Sequence, residues 1–243
     1  MHLTGANPAD NAMPTEPLSN DRLALARLSH GSGAKAIHDR VSEIIGSRRA
    51  GELIIDVGCG AGELWRVLNG RFSRYLGIDA IRYDDFPAEA SIKLADFDHE
   101  PLPLPDELAD VIVSAETIEH LENPRRFMRE LTRVCKTDGL IVVTTPNQLS
   151  LLSKMTLILK NEFNAFQERP GLYPAHRTAL LENDLIRIAK ECNLSDIRIQ
   201  YSCCGRLPLL PWSYPASITR LLPRAFSDNL LLIATKSTRS RLL

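Results

Sequence analysis

Leu53-Ile54-Ile55-Asp56-Val57 runs straight into Gly58-Cys59-Gly60-Ala61-Gly62-Glu63. This join between a short apolar run and a glycine-spaced loop constrains the fold more than any other stretch. A nearly continuous apolar segment of this length is what a parallel strand buried on both faces requires. Glycines directly after it permit positive φ and let backbone N–H groups come close to a bound group.

The same kind of segment recurs along the chain. Tyr75 to Asp79, Ile92 to Ala95, Asp110 to Ser114 and Leu140 to Thr144 read as strands. Between them, Phe127, Met128, Leu131 and Val134 repeat at helical spacing, as do Ile37, Val41, Ile44 and Ile45 upstream. Asp138-Gly139 reads as the turn into Leu140. A helix over 178–192 and strands at 196–201 and 229–235 complete the pattern. Strands alternating with helices predict an α/β fold with an open, mostly parallel sheet and helices on both faces. Residues 1–20 read as a flexible arm, and 21–243 as a single domain that starts with helices over 21–48, interrupted at Gly31-Ser32-Gly33.

Composition narrows the function. Lys and Arg number 29 against 30 Asp and Glu, a net charge of −1, which disfavours a strongly electrostatic nucleic-acid partner. The five cysteines, Cys59, Cys135, Cys192, Cys203 and Cys204, show no C-x-x-C spacing. They fit neither a disulfide framework nor a zinc site and read as reduced packing residues. No apolar stretch of signal type opens the chain and none reaches membrane-spanning length, so a soluble cytoplasmic protein is expected.

Three acids stand at successive strand ends. Asp56 borders the glycine loop, Asp79 follows Gly62 by 17 residues, and Asp96 ends the next strand. A dinucleotide fingerprint wants G-x-G-x-x-G, but Glu63 occupies the last position and the third glycine comes one residue early. Asp56 would also repel a pyrophosphate and favour a cationic group. The set describes a site for a cationic or neutral nucleoside, with Asp79 at the spacing of a ribose-binding acid. An NAD-dependent oxidoreductase is the competing reading, weakened by the glycine spacing and by Asp56.

Asp56-Val57-Gly58-Cys59-Gly60-Ala61-Gly62, Leu76-Gly77-Ile78-Asp79, Ala95-Asp96-Phe97 and Ser114-Ala115-Glu116-Thr117-Ile118-Glu119-His120-Leu121 together resemble the class I S-adenosylmethionine-dependent methyltransferases. Pro101-Leu102-Pro103-Leu104-Pro105-Asp106 and Thr145-Pro146-Asn147 add to the likeness, which is greatest to the branch with quinone-biosynthesis and glycan or natural-product enzymes. It covers 50–150 well and 170–200 loosely. The resemblance implies a Rossmann-like seven-stranded sheet with its last strand antiparallel, and S-adenosylmethionine as cofactor. It places Asp56, Gly58, Cys59, Gly60 and Gly62 along the methionine part, Asp79 at the ribose, and Ala80 and Ile81 beside the adenine. Asp96 and Phe97 would meet the adenine edge, and backbone near Ala115 and Glu116 the amino-acid end.

An oxygen acceptor needs its proton taken, and His is the usual base near neutral pH. His120 in the Glu119-His120 pair and His176 in Tyr173-Pro174-Ala175-His176-Arg177 are the two candidates. His2, His30, His38 and His99 lack a placement that favours chemistry, although His30 beside Gly31 could cover the cofactor. Asp110 and Asp138 read as turn residues, and no metal is expected. The stretch 148–168 reads as an amphipathic helix inside an insertion, 148–177, that acts either as a lid or as cover for the sheet. The apolar loop 205–226, broken by four prolines, would wall an acceptor pocket, form a dimer contact or rest on a membrane surface. The expected activity is O-methylation of a small-molecule, sugar or lipid-linked acceptor by a monomer or homodimer. A non-catalytic module that binds S-adenosylmethionine and a partner is the remaining alternative. Nucleic-acid methylation is disfavoured further because Glu116 to Ile118 stands where an Asn/Asp-Pro-Pro-aromatic tetrad would be.

Overall fold

The computed structural model describes residues 24, 26–28, 31, 35–46, 53–68, 70–72, 74–169, 171–202, 204–207 and 212–237. The arm 1–20, His2, His30, Cys203 and the proline stretch 208–211 lie outside the described residues. The elements run α1 (Lys35–Ile45), β1 (Leu53–Val57), α2 (Glu63–Leu68), β2 (Arg74–Asp79), β3 (Ser91–Leu94) and β4 (Ala109–Ser114). After them come α3 (Pro124–Val134), β5 (Cys135–Pro146), α4 (Leu151–Lys160), α5 (Glu182–Glu191), β6 (Leu194–Tyr201), α6 (Ala216–Leu221), α7 (Pro223–Phe226) and β7 (Asn229–Lys236).

The seven strands form one sheet in the order β3-β2-β1-β4-β5-β7-β6. β1 pairs in parallel with both β2 and β4, whereas β7 is antiparallel to β5 and β6. Strand order therefore reverses at β1, which opens a crevice at the carboxyl ends of β1 and β4, where open α/β sheets bind ligands. Alternate strand residues feed two apolar layers. Ile55, Val57, Ile112 and Ile141 pack with Phe127, Met128 and Leu131 of α3 and with Leu185 and Ile188 of α5. Ile54, Val111, Val113 and Val142 pack on the other face with Ile37, Val41 and Ile45 of α1 and with Leu64 and Leu68 of α2.

Local chemistry sets the helix that backs the crevice. Asn123 caps α3 by accepting from Arg126 N, and Pro124 occupies the first turn, where its missing N–H costs nothing. The α3 residue Arg133 donates to the Leu102 and Leu104 carbonyls at 3.0 and 2.8 Å, which pins the proline-rich 101–105 loop to the helix.

Three expectations change. Asp138, at φ +61°, is a kink inside β5 rather than the turn before it, and the β4–β5 register shifts there between Ala109 and Val111. The 148–168 helix is confined to α4, because Asn161 takes a left-handed conformation (φ +59°) and only a short 3-10 turn, Asn164–Phe166, follows. Within 205–226 the prolines break one long helix, yet two short ones form, α6 after Pro215 and α7 from Pro223.

Phe127 is fully buried and its ring lies 5.7 Å from that of Phe97. Phe127→Ala should destabilise the protein by about 3–5 kcal/mol, read from the urea midpoint at constant m. A loss well under about 1 kcal/mol would show that α3 does not anchor the core as described.

Candidate active site

A cavity of about 610 Å³ opens at the reversal point of the sheet. Gly58, Cys59 and Gly60 line it from the β1 loop, Asp79 and Ala80 from the end of β2, and Asp96 and Phe97 from the segment after β3. Ala115, Glu116 and His120 enter after β4, and His176 from the segment before α5. Of the residues expected at a cofactor, Asp56, Gly62 and Ile81 are not on this wall.

The loop keeps its shape through backbone bonds. Gly58 N and Cys59 N donate to the Ile78 carbonyl at 2.7 and 3.2 Å, and Ala61 N donates to that of Gly31 at 2.8 Å. Gly60 adopts φ +53°, and a Cβ there would sit 2.1 Å from the Gly31 carbonyl oxygen, so only glycine fits. Gly62, at φ +82°, leaves room for the loop at Pro87, since a Cβ there would sit 2.5 Å from Pro87 Cδ.

Asp79 ties the two strand ends together. Its Oδ2 accepts from Gly60 N at 2.8 Å and its Oδ1 from Ala80 N at 2.7 Å. Burial pushes the Asp79 carboxyl up to about 6, with the bonds from Gly60, Ala80 and Ile81 opposing. Asp56 lies beneath the loop, where its carboxylate accepts from the Tyr75 hydroxyl at 2.7 Å. Desolvation raises it to about 7; the Tyr75 bond opposes, and Asp79 and Glu63 add repulsion. Two buried carboxyls this reluctant to ionise favour a ligand that brings positive charge or hydroxyl donors.

The second half of the site forms around the 3-10 turn Ile118–His120. Arg177 N and Thr178 N both donate to the Glu119 carbonyl at 2.9 Å, which clamps the 172–178 strap against that turn. The clamp brings the two candidate bases together: the rings of His120 and His176 are 4.7 Å apart, edge to face. His120 Nδ1 lies 3.0 Å from the Ala175 carbonyl oxygen, and His176 Nδ1 lies 2.8 Å from that of Ala165. Burial, then the neighbouring His176, lowers His120 to about 4, against the carbonyls of Ala175 and Glu116. Burial lowers His176 as well. Both rings are therefore neutral at pH 7.

Glu116 and Glu119 differ in their surroundings. Glu116, at φ +53°, accepts from Thr144 Oγ1 at 2.9 Å and Asn229 Nδ2 at 2.7 Å, and so cross-links β4, β5 and β7. Glu119 is 0% exposed and, among the described residues, neither carboxyl oxygen has a hydrogen-bond partner. The Thr145 hydroxyl faces it from outside hydrogen-bonding geometry, and burial followed by repulsion from Glu116 raises it well above the carboxylate range. Glu119, His120 and His176 bring one ligand atom each within 4.8 Å of one another, as do Asp98, His99 and Glu122 nearer the surface.

Sequence reasoning gave His38 and His99 no part, yet both line the cavity. His38 sits among the buried residues of α1 with Nδ1 3.8 Å from Glu63 Oε2, and His99 Nδ1 lies 3.3 Å from Asp96 Oδ1. A histidine beside Ile37 and Val41 on the apolar face of α1 was the signal for the first. The second carried none beyond following Asp96 by three residues.

Known proteins extend this description. Residues 29–197 match the family model described as a methyltransferase domain. A probable S-adenosylmethionine-dependent methyltransferase of Mycolicibacterium smegmatis is 30% identical over 145 residues, 58% of this chain and 56% of that one. A ubiquinone biosynthesis O-methyltransferase of Rickettsia conorii is 28% identical over 131 residues, 51% and 44% of the two chains. The chain thus spans about half the length of these curated relatives. A solved structure, a SAM-dependent methyltransferase from Archaeoglobus fulgidus, superposes with a TM-score of 0.62 at 18% identity, covering 90% of this chain and all of that one. The family match runs from ahead of α1 into β6 and takes in more than half of the residues, and the chain belongs to the methyltransferase-domain family, whose cofactor is S-adenosylmethionine.

Proposed function

We propose that the protein catalyses S-adenosylmethionine-dependent O-methylation of a small-molecule, sugar or lipid-linked acceptor. The observation that carries this reading is one cavity holding both halves of the reaction, the Asp79–glycine loop and the neutral His120–His176 pair. Similarity to ubiquinone biosynthesis O-methyltransferases supports oxygen as the methylated atom.

The residues fit the cofactor. Asp79 has carboxylate lone pairs beyond the two bonded to Gly60 and Ala80, and these would accept from ribose hydroxyls. Ala80 and Ile81 would flank the adenine, and Asp96 with Phe97 its edge. The Gly58–Gly62 loop and the backbone at Ala115 and Glu116 would hold the amino-acid end. Asp56 acts from beneath the loop, as a negative charge favouring a cation rather than as a wall residue. S-adenosylmethionine supplies a methyl already activated on a sulfonium, so the protein's main tasks are alignment and exclusion of water. His120 and His176 present basic ring nitrogens at the acceptor end, and the strap clamped to Glu119 fixes their separation.

No described helix is long and apolar enough to cross a membrane. In this proposal the protein acts in the cytoplasm as a monomer or homodimer. The exposed Ile158, Leu159, Trp212 and Leu221 would rest against a membrane when the acceptor is lipid-linked.

Asp79→Ala should weaken cofactor affinity by about 1.5–3 kcal/mol, the range for hydrogen bonds to a charged group; unchanged affinity in calorimetry would remove Asp79 from the ribose site. Binding of the cationic cofactor favours ionised Asp79 and Asp56, whose free carboxyls titrate near 6 and 7. Affinity should therefore rise with pH between about 5 and 8 and level off above, and a flat profile would contradict the role given to the buried acids. In a screen of hydroxylated acceptors with methyl-labelled cofactor, label should appear on oxygen. His120→Ala should then lower turnover while sparing cofactor affinity; label on nitrogen or carbon, or undiminished turnover, would contradict the proposal.

A further inference from the structure

The least explained group in the molecule is the Glu119 carboxyl. A fully buried carboxyl with no partner on either oxygen is rare in a folded protein and calls for a compensating group such as an ion. Its nearest chemistry points to which ion. Two imidazoles arrive from separate segments, His120 from the 3-10 turn and His176 from the 172–178 strap. Each ring has Nδ1 against a main-chain carbonyl, which fixes its orientation, and the Glu116 carbonyl also faces the His120 ring. Metal-ligating histidines are held by their other nitrogen in this way.

We propose that Glu119, His120 and His176 form a binding site for one divalent transition-metal ion on the acceptor side of the cavity. Two imidazoles and one carboxylate suit zinc-like and other first-row ions rather than magnesium or calcium, which prefer all-oxygen surroundings. Three ligands bonded to one tetrahedral ion at about 2.0–2.2 Å lie about 3.3–3.6 Å apart, so from within the observed 4.8 Å the side chains close on the ion by movements of up to about an ångström. The second cluster lacks these marks. Asp98 accepts from Glu122 N, Glu122 pairs with Arg177, and His99 faces Asp96.

The use of the ion rests on the O-methyltransferase reading, whereas its binding does not. Three protein ligands leave a coordination position open for an acceptor hydroxyl oxygen. The O–H bond would then break with its proton passing to solvent water, and the oxygen would form its bond to the methyl as the S–CH3 bond breaks and S-adenosylhomocysteine leaves. The two imidazoles would hold the ion instead of taking that proton.

The test uses the full chain, stripped with a chelator and titrated with Co²⁺, whose visible absorption intensifies when it is held in a four- or five-coordinate site. Zn²⁺ serves as competitor. The expected result is one Co²⁺ per chain, displaced by Zn²⁺, with affinity falling about tenfold or more in Glu119→Gln and in His176→Ala. Glu122→Gln, in the other cluster, should bind as the parent does. Thermal unfolding with and without the ion shows whether each variant folds. Absence of Co²⁺ absorption, or equal affinity in a folded Glu119→Gln and the parent, would overturn the site. A parallel titration with S-adenosylhomocysteine reports on the cofactor reading alone, so the two can fail separately.

Discussion

The bond from Gly60 N–H to Asp79 holds the cofactor half of the site together. It links the loop after β1, at the edge of the crevice between β1 and β4, to the end of the neighbouring strand β2. The glycine loop holds positive φ at Gly58, Gly60 and Gly62, and the carboxylate at the adjoining strand end fixes it through the Gly60 N–H. Burial makes that carboxylate unwilling to ionise alone. In the proposed reading the free site is therefore electrostatically incomplete, and a ligand with hydroxyl donors and a positive charge would complete it. Asp56 deepens the same imbalance from beneath, held in place by Tyr75.

The acceptor half obeys a different constraint. Its side chains come from a short turn after β4 and a strap before α5, elements with little regular structure of their own. What positions them is the pair of N–H groups from Arg177 and Thr178 on the Glu119 carbonyl. The Glu119 backbone thus organises the strap while its side chain lies buried without a hydrogen bond. Glu116, three residues earlier, is satisfied by Thr144 and Asn229 and carries the structural load of joining β4 to β5 and β7.

How much of this was legible in the sequence depends on whether local or distant contacts decide a residue's role. β1 was readable to the residue because its four apolar residues and the glycines after it are a local signal. Asp79 and Asp96 were readable because strand ends place them on one edge. The start of β5 was misread, since Asp138-Gly139 looks like a turn and only pairing with β4 turns it into a kink within the strand. The neighbour that requires glycine at position 62, Pro87, comes from a loop whose course no spacing predicts. The sequence named His120 and His176 separately as alternatives. Their proximity depends on a fold-back across more than fifty residues, which periodicity does not encode.

A crystal structure of the protein with S-adenosylhomocysteine would test the central claim most directly. The account predicts ribose hydroxyls within hydrogen-bond distance of the Asp79 carboxylate, the adenine between Ala80 and Phe97, and the sulfur facing the His120–His176 end of the cavity. A nucleoside seated away from Asp79, or a sulfur turned from the histidine pair, would contradict it.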